Sequence, residues 1–342
     1  MGGMAPGMAL FLLYGLWRID LVAVFFAWLI LSNGPHVFAT YTRTYLSRDE
    51  WARRGGILRL SLGVLLVGPA VLGICVILGN RLPFLLFMAG VGLWAFWHTA
   101  RQHYGILRLY QRKTGDGPGL DALLLHVGLI APFLVFFTSH AEVRRYFGAA
   151  SLPDFRAVAA VAVAAVAAVW LGRLAWQWIR GVPIHVPKVL FLGTVVPYYA
   201  IIFGSTVLID APFFGIVPIV ILPHDVQYHA MVWFYNRNRG EASRRRGEIP
   251  DLGCRLTTRL PIYAACAVAT GGLLALLSCS LDSSLGCLIP LHSVDATRLA
   301  SSDLLLALFH GVFAHHYFVD QFIWRPSRDP DVAQGLGLPV LE

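Results

Sequence analysis

Charged residues are scarce in this chain. Asp, Glu, Lys and Arg make up 13% of its 342 residues, about half the share usual in a soluble domain. Such a chain cannot cover a water-facing surface with charge, which argues against an ordinary soluble globular protein. Cysteine is also sparse: the five cysteines form no CxxC pair, which excludes the usual cysteine-rich zinc and dithiol motifs. Cys75 and Cys266 lie in apolar runs and Cys254 in a basic segment. Cys279 and Cys287 flank the short CSLDSSLGC loop, where a disulfide and two free thiols are equally compatible with the sequence. No HExxH occurs, which removes the zincin type of hydrolase. There is no internal repeat and no low-complexity linker. The first residues, MGGMAPGMALFLLYGLWRID, lack the basic n-region and small-residue cleavage site of a secretory signal, and so read as part of a first span.

Apolar residues dominate instead, at 57% of the chain, with a mean hydropathy of +0.65. At roughly 20 residues per span plus loops, the pattern predicts an all-α, polytopic integral membrane helical bundle of about nine transmembrane helices, forming a single membrane-embedded domain over 1–342. The expected spans are 10–40, 57–79, 83–110, 119–139, 156–179, 187–208, 212–235, 257–279 and 302–324. The fifth is nearly pure Ala and Val and reads as a peripheral packing helix. Residues 237–256 read as a basic cytoplasmic surface loop.

The net charge of +8 comes from basic residues in the loops between apolar runs, which points to membrane orientation and away from nucleic acid. Nine spans place 21 of the 27 Lys and Arg on one side, among them Arg43, Arg48, Arg53, Arg54 and Arg59 after the first span. The expectation is therefore an N-terminus outside and a C-terminus inside, in a bacterial inner membrane.

Eight of the 12 histidines fall in four clusters: His36 in NGPHVFATY, His98 and His103 in WHTARQHYG, His224 and His229 in PHDVQYH, and His310, His315 and His316 in FHGVFAHHYFVDQFIW. All four lie toward the C-terminal ends of spans one, three, seven and nine, which run the same way, so they share one depth near the cytoplasmic face. Imidazole is costly in lipid and is a common ligand of iron, copper and zinc. The eight histidines are therefore the candidate metal ligands. The recurring HxxxxH spacing complicates this, because residues five apart diverge by about 140° on an ideal helix. Either the helix is distorted, as Pro223 could arrange, or one histidine of each pair ligates and a residue four positions on is its neighbour. The pairs His98–Gln102, Asp225–His229 and His316–Asp320 fit the second arrangement. Asp225 and Asp320 are candidates for ligating metal or orienting a histidine, with Tyr228, Gln102 and Arg101 as polar helpers. His126, His140, His185 and His292 stand apart and read as structural.

In motif order, NGPH at 33–36, WHTARQH at 97–103, HDVQYH at 224–229 and HYFVDQFIWRP at 316–326 resemble the blocks of the bacterial Brp/Blh type of membrane β-carotene 15,15′-dioxygenase. The resemblance implies that His36, His98 or His103, His224, His229 and His316 hold a non-haem iron. The third block here has four intervening residues instead of three, and Gln321 stands where the late block has Asp. In inventory alone, eight histidines with an HxxxxHH ending are similar to the membrane fatty-acid desaturase and hydroxylase superfamily, which implies two irons.

The expected function is that of a membrane-embedded, histidine-ligated non-haem iron oxidoreductase with one or two Fe. It would use O₂ on a lipophilic substrate, with an electron donor such as ferredoxin as a further partner. The alternatives are a diiron lipid desaturase or hydroxylase proper, a metal-ion transporter, and a haem-binding membrane subunit. Transporter sites lie nearer the midplane.

Overall fold

The computed structural model describes residues 3–117, 119–147, 154–278 and 301–338; the Cys279–Cys287 loop and His292 lie outside these. Every described element is helical. Seven helical stretches are long and apolar enough to cross a membrane: Leu21–Arg43, Arg48–Leu78, Leu82–Thr114, Gly119–Ser139, Arg156–Ile179, Val186–Gly204 and Leu260–Ser278. Phe213–Arg245, of 33 residues, and Ser301–Ile323, of 23, cover the other two expected spans, but neither is among the stretches apolar enough to cross. They carry five of the eight clustered histidines together with Asp225 and Asp320, and those polar residues lower their apolarity. Large apolar side chains such as Ile77, Trp178 and Ile179 are more than three-quarters exposed, as a lipid-facing surface requires.

Chain contacts fall into two compact units. The first comprises Met1–Phe25 and Thr99–Val226. In it α7 (Gly119–Ser139) packs against α9 (Arg156–Ile179) and α10 (Val186–Gly204), and α1 (Met4–Trp17) packs on α10. The Ala/Val-rich α9 is anchored by Trp170, whose indole N–H donates to Asp121 at 2.9 Å. Asp121 also pairs with Lys188 at 2.8 Å.

Phe26–His98 and Gln227–Glu342 form the second unit. It contains the π-helical turn Leu29–Asn33, α3 (Gly34–Arg43), α4 (Arg48–Val64), α5 (Val67–Leu78), α12 (Leu252–Thr257), α13 (Leu260–Ser278), α14 (Ser301–Ile323) and α15 (Pro330–Gly335). There α13 packs on α3 and the π turn, and α14 packs on α4, α5 and α13. Two long helices, α6 (Leu82–Thr114) and α11 (Phe213–Arg245), pass from one unit into the other.

Two sequence expectations change. The first span is not one helix: α1 stops where Arg18 takes a left-handed φ of 50°, and α2 (Leu21–Trp28) restarts with Asp20 accepting from the Val22 amide at 2.8 Å. The basic segment 237–256 is not a loop throughout, because α11 continues to Arg245 and α12 begins at Leu252. No proline lies between His224 and Arg245, Arg237 pairs with Glu241 one turn on at 2.9 Å, and Arg239 is held by Asp49 and Asp251. Chain direction changes only around Gly247, at φ +75°.

At the polar end of the second unit, charge replaces apolar packing. Glu50 is fully buried and receives Arg43, Arg53 and Arg54, and Arg53 and Arg54 also bind Asp329. Burial works to raise the Asp329 carboxyl, but the Val332 amide and the arginines outweigh it and hold it below its ordinary value. Burial likewise opposes Arg239 and the Cys254 amide at Asp251, and the lowering again wins. A carboxyl whose folded pKa is depressed contributes stability above its unfolded pKa and loses it as pH falls through the folded value. Thermal stability in detergent is therefore expected to be flat from pH 7 to about 5 and to fall below about pH 4. An unfolding temperature unchanged down to about pH 3 would contradict the assignment of these two carboxylates.

Candidate metal centre

The site is built in the second unit where α3, α6, α11 and α14 meet. The π turn Leu29–Asn33 carries one residue more per turn than an α-helix, a device that often marks functional positions. Pro35 follows in the first turn of α3, where its missing N–H costs nothing. His36 comes next and is buried, as are Thr40 one turn on and His316 on α14. His98, at the second unit's end of α6, is nearly so.

Three imidazoles from three helices converge. The ring nitrogens that His36, His98 and His316 offer all lie within 4.8 Å of one another, close to the roughly 4.2 Å that separates two nitrogens on opposite sides of one ion. His36 Nε2 and His316 Nε2 are 2.7 Å apart. Asp320 Oδ2 faces the same place from one turn along α14, 3.6 Å from His98 Nε2 and 3.7 Å from His316 Nε2. Those separations are too long for hydrogen bonds.

A hydrogen-bonded relay behind His316 sets its tautomer. Tyr228 donates its proton to Asp320 at 2.8 Å. With that proton spent, the 2.7 Å contact between Thr40 Oγ1 and Tyr228 must be donated by Thr40. The 2.9 Å contact between Thr40 Oγ1 and His316 Nδ1 must then be donated by the imidazole. His316 therefore carries its proton on Nδ1 and presents an Nε2 lone pair to the cluster, as a metal-ligating histidine does. Trp324 Nε1 approaches the Tyr228 hydroxyl at 3.4 Å. The residues thus fit a borderline cation such as iron, copper or zinc: neutral imidazoles, a nearby carboxylate, and a nitrogen lone pair held inward.

Of the residues singled out in the sequence, this group contains His36, His98, His316, Asp320 and Tyr228. The others are placed differently, each for a local reason. His103, five residues beyond His98, lies in the first unit and meets the Tyr199 hydroxyl at 3.0 Å. Tyr199 donates to Val220 O, so His103 Nε2 is the donor there, not a lone pair. His229 is bracketed by Ser32 O at 3.3 Å and the Tyr263 hydroxyl at 3.4 Å. The His315 ring stacks on Tyr45, with Nε2 2.8 Å from its hydroxyl. His310 Nδ1 returns to Leu306 O of its own helix at 2.9 Å.

Asp225 is buried in the first unit, where its charge reaches Tyr199. Gln102 donates to His224 O at 2.8 Å. Arg101 stacks on Tyr104. His224 belongs to the first unit's stretch of α11, buried and one turn before Tyr228 on the same unbroken helix. Just before it, Pro223 leaves Ile219 O without its helical donor, and the Tyr198 hydroxyl supplies one. His126, His140 and His185 bond to backbone groups at Ala122, Ala211 and Lys188.

Thr40 went unnoticed in the sequence. The available signal is its place one turn after His36 on a helix whose neighbouring positions are otherwise mostly apolar. Thr40→Val keeps the shape but removes the acceptor that holds Nδ1–H. Metal affinity is expected to fall about 10- to 100-fold with the unfolding temperature nearly unchanged, and Thr40→Ser is expected to restore it. Equal affinity in Thr40→Val, measured by chelator competition, would remove Thr40 from the site.

Comparison of the chain with protein-family models, curated proteins and solved structures returns no match.

Proposed function

We propose that this chain is a membrane-embedded metalloenzyme that holds a single non-haem iron on His36, His98 and His316. The observation that carries this reading is the convergence of three buried imidazoles, one of them held in the Nδ1–H tautomer by Thr40, Tyr228 and Asp320. Asp320 acts as a further oxygen donor or as the base that keeps the relay ordered.

Bound iron would supply O₂ activation for oxidation of a lipophilic substrate reaching the site from the membrane. The protein's own contribution is to exclude water, hold the imidazoles neutral and keep one carboxylate at the edge of the site. One ion is favoured over two because His103, His229, His310 and His315 each have another partner outside the cluster. The dioxygenase resemblance fits this count better than the diiron one. The excess of Lys and Arg in alternate loops supports a cytoplasmic placement of the site in a bacterial inner membrane.

Metal analysis of the detergent-purified protein, with O₂ uptake in the presence of apolar substrates such as carotenoids and fatty-acyl lipids, tests the reading. About one iron per chain and substrate-dependent O₂ uptake are expected. Tight zinc with no uptake would replace the oxygenase with a hydrolytic or structural site, and no metal at all would end the proposal.

A further inference from the structure

A cavity of about 420 Å³ opens at the polar end of the second unit, between the first turns of α4 and the chain leaving α14. Four arginines line it: Arg53, Arg54, Arg325 and Arg328, over an apolar floor of Ile57 and Phe322. Its two carboxylates, Asp329 and Asp331, are already engaged by Arg53 and Arg54. Arg325 stacks on Phe322 and donates to Gln321 O. Neither Arg325 nor Arg328 has a carboxylate partner among the described residues. With Glu50 also shared by Arg53 and Arg54, the surplus of positive charge at the cavity comes from Arg325 and Arg328.

Guanidinium groups present paired donors that match phosphate oxygens and are weakly hydrated. The cavity also sits where the membrane-length stretch Arg48–Leu78 gives way to charged residues, so a ligand there meets charge on one side and apolar side chains on the other. Basic pockets at this depth suit anionic lipid headgroups. We propose that this cavity is a binding site for a phosphate-bearing anion, separate from the histidine cluster and independent of the metal reading.

The test uses the full chain in lipid nanodiscs and in detergent. One arm compares binding to nanodiscs rich in phosphatidylglycerol with those of phosphatidylcholine. The other titrates inorganic phosphate and glycerol 3-phosphate against the detergent-solubilised protein, read by thermal shift. The paired variant Arg325→Gln with Arg328→Gln is compared with Arg246→Gln, an exposed arginine paired with Glu248 elsewhere on the surface. An affinity loss of about tenfold in the paired variant, with Arg246→Gln unchanged, supports the site. If the loss is in the lipid arm the ligand is a headgroup, and if in the soluble arm it is a free phosphate. Equal binding by the paired variant and the parent in both arms overturns the proposal, provided the variant unfolds at the parental temperature.

Discussion

The His316→Ala protein is expected to lose the proposed metal, its affinity weakened by more than about a hundredfold. Loss of an oriented outer partner alone costs 10- to 100-fold, and this change removes both a donor nitrogen and the group that Thr40 orients. His316 is the hub of the cluster. Its Nε2 lies 2.7 Å from His36 Nε2, its ring centroid is 5.1 Å from that of His98, and its Nδ1 is tied to Thr40. The fold should survive, since truncating one ring in a helix-packed site costs about 2–5 kcal/mol at most. His310→Ala is the matched control: it lies on the same helix, but its ring bonds to Leu306 O and packs on Phe87, so metal content should not change. His103→Ala should also retain its metal. Full metal content in His316→Ala, or equal loss in His310→Ala, would refute the assignment of the site to these three helices.

Gly271→Val is expected to cost more than about 3 kcal/mol and to prevent accumulation of folded protein, at or beyond the upper end of ordinary overpacking. The π turn and α3 cross α13 with backbone against backbone: a Cβ on Gly271 would fall on Ile30 O, and one on Gly34 would fall on the Gly271 backbone. No side chain can rotate away to make room. Small residues at such crossings allow the close approach that membrane helices use in place of a hydrophobic driving force. Because Gly34 lies two residues before His36, the strain would also be felt at the cluster, so Gly34→Ala should lose metal affinity together with stability. Gly272→Ala, where an added Cβ meets nothing within 4 Å, should stay within about 0.5 kcal/mol of the parent. Thermal unfolding in detergent separates the two, and a Gly271→Val protein as stable as Gly272→Ala would show that the two segments do not pack so closely.

The sequence by itself determined the helical membrane class, because hydrophobic runs of membrane length and the shortage of charge leave few other solutions. It also determined which residue types could bind metal, since twelve histidines in a chain with so few charges stand out. Helical geometry took the reading one step further: five residues of separation turn His98 and His103 to different faces, so that only His98 joins the cluster while His103 meets Tyr199.

Which histidine of each pair turns inward depended on the rotation of each helix about its own axis, and packing sets that rotation. The π turn before His36, the Gly34–Gly271 crossing and the relay through Thr40 and Tyr228 join residues that are far apart in the chain, such as Thr40 and His316. No local periodicity encodes such a contact. The extension of α11 to Arg245 is supported both by a local pair, Arg237 with Glu241, and by distant partners of Arg239 at Asp49 and Asp251. Asp320 and Asp225 show the same limit. Both are buried aspartates near a histidine in sequence; Asp320 lies beside His98 and His316 in the second unit, while Asp225 belongs to the first unit, near Tyr199.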